Sequence, residues 1–160
     1  MSTHDDRTAT VAEIMQETDI AVLTYVSLDG QLVSTPMGTQ DFDDPGTTWF
    51  LTERSSDKVR AIEADPRVNV SYSSKAGWVS LTGTAHVSDD RAKLRELWDA
   101  SAGAFMSGGP DDPDNVLLRV DGATAEYWAS PGKVAVALQV AKGLVSDDTP
   151  DLGDNDTVRL

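Results

Sequence analysis

The sequence predicts a mainly β domain: a small antiparallel barrel with a few short helices. Three observations predict it. Six or seven stretches carry the β-branched and aromatic residues of strands. Tight-turn pairs such as Asp29-Gly30 join neighbouring stretches into hairpins. Helix-like stretches are short and number only three or four, and closing the strands into a barrel removes exposed strand edges.

The elements follow in chain order. Residues 1–7 read as disordered. Thr8 or Thr10 can cap a short helix through Glu17, with Val11, Ile14 and Met15 on one face. Asp19 to Ser27 is a largely buried strand, and after the Asp29-Gly30 turn Gln31 to Gln40 returns. Pro36 inside that return marks an edge, a bulge or a strand end, because proline cannot donate to a ladder. Asp43-Asp44-Pro45-Gly46 turns into a third strand, Thr47 to Thr52. A helix opens at Ser55-Ser56-Asp57-Lys58, with serine as cap, and ends at Asp65-Pro66. Arg67 to Ser73 and Trp78 to Val87 are the fourth and fifth strands, and Gly83 signals a bulge or a close backbone approach.

A helix beginning at Ser88-Asp89-Asp90 carries the stripe Leu94, Leu97, Trp98 and Ala102. Gly108 to Pro113 is a loop. Val116 to Val120 and Thr124 to Trp128 read as two strands around Asp121-Gly122. Lys133 to Lys142 alternates like a strand, but its alanines favour a helix, which is the reading adopted. Gly143 to Leu160 is an acidic tail with five aspartates, expected to be mobile. The domain division is therefore 1–7 as a disordered start, 8–142 as the folded domain and 143–160 as the tail.

Composition narrows the function. The chain has 160 residues, enough for one domain with a real core. Lys and Arg number 13 against 27 Asp and Glu, a formal net charge of −14, which argues against nucleic acid and anionic membranes as partners. Aspartate outnumbers glutamate 21 to 6, which places much of the acid in turns and caps. With no cysteine there is no disulfide, thiolate metal site or cysteine nucleophile. Two histidines, His4 and His86, make a histidine-rich metal site an unexpected one, and no metal is assigned. No apolar run is long enough to span a bilayer, and the polar, acidic N-terminus does not look like a secretory signal. Cytoplasm is the default.

Few constellations carry chemistry. His86 lies in an alternating strand and reads more simply as a surface residue than as part of a triad. Asp111-Asp112-Pro113-Asp114 lacks the glycine and distal glutamate of a calcium loop and reads as a turn. Gly108-Gly109-Pro110 follows a helix and has neither dinucleotide-binding nor P-loop spacing. What remains is Thr52 to Lys58: hydroxyls and one ammonium at a helix start, the groups that hold a phosphate. Taken alone, the stretch reads more simply as a capped helix start with a solvated lysine.

Trp49-Phe50-Leu51-Thr52, Ser56-Asp57-Lys58-Val59, Asp65 to Tyr72, Trp78 to Ala85, Leu97-Trp98, Gly108 to Asp114 and Glu126-Tyr127-Trp128 together resemble a family. It is the general stress protein 26 branch of the pyridoxamine 5′-phosphate oxidase superfamily, and the likeness spans about residues 10–140. The resemblance implies a six-stranded split β-barrel that binds flavin mononucleotide (FMN) at the interface of a homodimer. It implies that Ser56 and Lys58 hold the phosphate, that the ring lies along Thr35, Pro36, Met37, Leu51 and Thr52, and that Trp128 approaches from the second subunit. It further implies an oxidoreductase-like activity with a small-molecule electron donor or acceptor. No acid or base is nominated as catalytic, and residues specific for pyridoxamine phosphate are not recognisable.

One departure bears on the cofactor. The family often has arginine before the Pro-Met pair, whereas this chain has Ser34-Thr35-Pro36-Met37. A full charge at about 4 Å is worth roughly 4 kcal/mol at an effective dielectric of about 20, before desolvation. Arg54 or Arg60 could compensate, while Asp57 adds repulsion. FAD or a deazaflavin is therefore an alternative to FMN. A flavin binder without turnover, and a branch that has lost the cofactor, are the alternatives to an enzyme.

Overall fold

The computed structural model describes residues 3–131 and 153–160. Its elements are α1 (His4–Gln16), β1 (Ile20–Val26), β2 (Leu32–Gly38), β3 (Thr47–Glu53), α2 (Asp57–Ala64), β4 (Arg67–Ser74), β5 (Gly77–Ser88), α3 (Arg91–Leu97), α4 (Ala100–Phe105), β6 (Asn115–Ala129) and β7 (Asn155–Arg159). Every strand pairing is antiparallel, and the sheet runs β2-β1-β4-β5-β6-β3, with β7 added to β6. The two end strands, β2 and β3, approach each other without sharing a ladder. The barrel is thus split at that seam, as the family likeness implies.

Alternation places the core inside. On β3, Thr48, Phe50 and Thr52 point inward and are buried. Leu23, Val70, Leu81 and Leu118 from the neighbouring strands meet them there. Trp49 and Leu51 point outward, where Leu94 and Leu97 of α3 cover them together with Leu117. Lys93 of α3 places its ammonium 5.8 Å from the Trp49 ring centroid. Helix α1 packs Val11, Ile14 and Met15 on the strands from β4 to β7, the face that the sequence periodicity selects.

Two glycines stand where the sequence predicts, one in a turn and one at a bulge. Gly30 takes φ +79° in the β1–β2 hairpin, a conformation that favours glycine. At Gly83 the β5–β6 register shifts, and an added Cβ would stand 2.1 Å from the Asp121 carbonyl oxygen. Pro36 lies on an edge strand, opposite Val22 of β1.

The structure corrects four expectations. The first helix begins at His4 rather than within residues 8–10, so the disordered start does not extend to Arg7. Thr3 and Asp6 form a reciprocal capping box that satisfies the first turn. The single helix expected after Asp90 is two, because Asp99 accepts from the Ala102 amide and restarts the chain as α4. Asp121-Gly122 is not a hairpin: β6 runs straight through it, and the irregularity is absorbed as the bulge opposite Gly83. Within the expected mobile tail, residues 155–159 form β7 on the second half of β6, and Asp156 pairs with Arg7 of α1. The helix expected over 133–142, and the tail from 143 to 152, lie outside the described residues. Among the described residues no helix is long and apolar enough to cross a membrane.

Candidate functional site

The seam between β2 and β3 opens into a groove of about 740 Å³. Its walls are the ends of those strands, the start of α2 and one side of α4. Pro36 and Met37 come from β2, Leu51 and Thr52 from β3, Ser56 and Lys58 from the start of α2, and Phe105 and Met106 from the far wall. The volume and the mostly apolar lining suit a small aromatic ligand.

Each polar side chain there has a local cause. Ser56 caps α2, its hydroxyl accepting from the Val59 amide at 3.3 Å, and its O–H remains available to donate. Lys58 is carried into the groove by the first turn of α2. Its Nζ donates to Met37 Sδ at 3.3 Å and to Thr52 Oγ1 at 3.4 Å, and both of those side chains are buried. Among the described residues Lys58 makes no ion pair. Burial pushes its ammonium below the usual lysine range, and the Glu53 carboxylate, also in the groove wall, partly offsets this. Deeper in the barrel, burial pushes the Tyr72 hydroxyl up to about 12, so it stays neutral.

The neighbouring arginines do not replace the missing one. Arg54 pairs with Asp89 and Arg60 with Asp57. Asp57 is exposed and its charge is answered by Arg60, so its repulsion of a ligand is smaller than the sequence suggests. Ahead of the Pro36-Met37 pair, Ser34 bonds the Thr24 hydroxyl at 2.8 Å and Thr35 is half-buried, so only hydroxyls stand there.

The acidic loop turns out to support the site. Asp114 accepts from the Ser55 amide at 2.9 Å and from the Ser55 hydroxyl at 2.8 Å, which ties the loop to the β3–α2 turn. Buried Asn115 donates to the Ser107 and Gly109 carbonyls at 2.9 and 3.0 Å, and Arg91 donates to the Asp112, Pro113 and Asn115 carbonyls. Asn115→Ala removes the side-chain donor from the Ser107 carbonyl and one of two donors from the Gly109 carbonyl, which keeps the Asp112 amide at 3.1 Å. We expect a loss of about 2 kcal/mol in urea unfolding, while a variant as stable as the parent would show that the loop holds without it.

Of the residues expected at the site, the structure brings Pro36, Met37, Leu51, Thr52, Ser56 and Lys58 to one groove. Thr35, one residue along β2, is half-buried and does not line it. Trp128 does not line it either; it stands beside Trp78 on the outer face of β5 and β6. Sequence reading missed Glu53 as a wall residue, and missed Ile20, Phe105 and Met106. Phe105 is 89% exposed at the end of α4, and only the observed break between α3 and α4 explains its position.

Fold and site together define a split-barrel protein with a cation-bearing groove at the seam. The model of the pyridoxamine 5′-phosphate oxidase-like family matches residues 6–151, and the chain belongs to that family. A solved structure from Jannaschia sp. CCS1, named for general stress protein 26, is 30% identical, with 98% of this chain and 99% of that one covered and a TM-score of 0.84. General stress protein 26 from Bacillus anthracis str. Sterne is 24% identical over 76% of this chain and 92% of its own, with a TM-score of 0.68. Protein bli-3 of Neurospora crassa is 32% identical over 111 residues, 61% of this chain. The match spans about half the length of that curated relative, 52%.

Proposed function

We propose that this protein binds a flavin, FMN in the first instance, in the groove between β2 and β3, and works as a flavin-dependent oxidoreductase-like protein of the cytoplasm. Lys58 carries the reading: it is a part-buried ammonium without an ion-pair partner among the described residues, at a helix start, in a mostly apolar groove. An anion placed beside it would be stabilised by charge, by the Ser56 hydroxyl and by the positive end of α2. Pro36, Met37, Leu51 and Thr52 offer the wall for a planar ring. A flavin would supply hydride or single-electron transfer. The chain's own residues would hold it, fix its face and keep water from it.

A homodimer completes the proposal. Trp128 pairs with Trp78, and Val22 and Pro36 continue the same outward face across β1 and β2. Large apolar side chains so exposed favour a partner surface. Ile20 and Pro36 belong both to this face and to the groove. A second copy seated there would wall the groove and bring its Trp128 toward the ring. The chain's formal net charge of −14 supports a small-molecule electron donor or acceptor over nucleic acid.

The test is an absorption spectrum of the purified protein, with mass analysis of what acid releases. A two-band flavin spectrum and a released FMN are the expected result. Released FAD or a deazaflavin would change the cofactor and leave the groove. A colourless protein that takes up no added flavin overturns the reading. Among the groove-lining residues there is no histidine or tyrosine to move a proton, which gives the alternative, a flavin binder without turnover, its support. Reduction of the bound flavin by NADH or NADPH decides between the two.

A further inference from the structure

The charge inside the groove does not match the charge of a phosphorylated ligand. Its lining contains two carboxylates, Asp19 and Glu53, against one ammonium, Lys58. Arg54 and Arg60 are engaged elsewhere, and Ser34-Thr35 stands before Pro36-Met37, where the family often has arginine. A phosphate monoester brings between one and two further negative charges, about −1.5 to −2 at neutral pH. Glu53 ends β3, and Lys58 is reached from it by the short turn that Ser56 caps. Both residues line the one groove, Glu53 from the end of β3 and Lys58 from the first turn of α2, and in such a partly enclosed space charges interact more strongly than in water.

We propose that Glu53 sets the preference of the groove between phosphorylated and unphosphorylated ligands, because its carboxylate competes with a phosphate for Lys58. The naming of the ligand rests on the flavin reading; the competition for Lys58 does not. The Glu53 charge favours the Lys58 ammonium in the absence of ligand, as the direction of its effect on that lysine already indicates. An incoming phosphate gains Lys58 but meets Glu53. A ring without phosphate meets neither effect. Riboflavin then binds within about tenfold of FMN, whereas a groove with an unopposed cation would separate them much further.

The experiment measures riboflavin and FMN affinities by flavin fluorescence quenching, for the parent protein and for Glu53→Gln. Glutamine keeps the size of the side chain at a strand end, and a thermal melt checks the fold. The expected result is an FMN affinity about tenfold tighter in the variant, with riboflavin changed less than about twofold. An unchanged ratio of the two affinities overturns the inference. Binding of neither flavin to either protein removes the flavin reading. The rate at which acetic anhydride modifies Lys58, followed by peptide mass analysis, then tests Glu53 on its own. It should rise severalfold in Glu53→Gln, because the free amine is no longer suppressed by the carboxylate. An unchanged rate overturns the inference, whatever the ligand.

Discussion

If the flavin reading holds, Lys58→Ala is expected to lower FMN affinity by about a hundredfold and to leave the proposed dimer intact. On that reading the lysine would contribute a charge-assisted contact to the phosphate, typically about 1.5–3 kcal/mol net, and its removal would also leave Glu53 unopposed in the wall. Both effects act on the phosphate and neither on the ring, so riboflavin affinity should move by less than about threefold. Titration of the variant with each flavin, beside size-exclusion chromatography, measures all three quantities. An FMN affinity equal to that of the parent would place the phosphate somewhere other than the start of α2. A variant that loses both flavins and melts early would mean that Lys58 supports the seam itself through Met37 and Thr52.

Gly83→Val destabilises the fold by at least about 3 kcal/mol, a fall in melting temperature of about 6–12 °C for a chain of this size. The cause is the close approach at the bulge. An added Cβ would stand 2.1 Å from the Asp121 carbonyl oxygen and 3.0 Å from Gly122 Cα, and the nearest obstacle is backbone, which cannot rotate away. Either the β5–β6 ladder opens or the bulge moves. A moved bulge shifts one half of β6 against the other, which would disturb the pairing with β3 or with β7. Thermal and urea unfolding read the loss. A variant melting within a degree or two of the parent would show that the bulge relocates freely.

Strands β1 to β5, and helix α2 with its Ser56 cap, were legible because their signals are local: alternation, a DG turn, a serine before an acid, a glycine where backbones touch. Ile14 and Met15 illustrate this, since they face the core as their spacing predicts, and the strand expected from Asp19 begins one residue later, at Ile20. The misreadings share a cause. Asp121-Gly122 has the composition of a turn, but the bulge opposite Gly83 accommodates it inside one strand, and nothing near it in sequence says so. Residues 155–159 are too polar to announce a strand; β7 exists because β6 has a free edge past the end of β3. For the site, Thr52, Ser56 and Lys58 could be read from one short stretch. Glu53 was in that stretch too, but its place in the wall depends on how β3 meets the seam. Phe105 and Met106 come from a distant helix whose restart at Asp99 only the structure reveals.

The seam has a consequence for how occupancy and rigidity are linked. Around the rest of the barrel, neighbouring strands are held by ladders of hydrogen bonds; between β2 and β3 there is none. A molecule touching Met37 on one bank and Thr52 on the other would act as a rivet across that gap. Its binding free energy would then be drawn on by the whole circuit, raising stability by RT ln(1 + [L]/Kd) and doing so most where the chain is least tied. Such a protein would report its own loading mechanically: empty, its edge strand breathes; filled, the ring of strands is continuous.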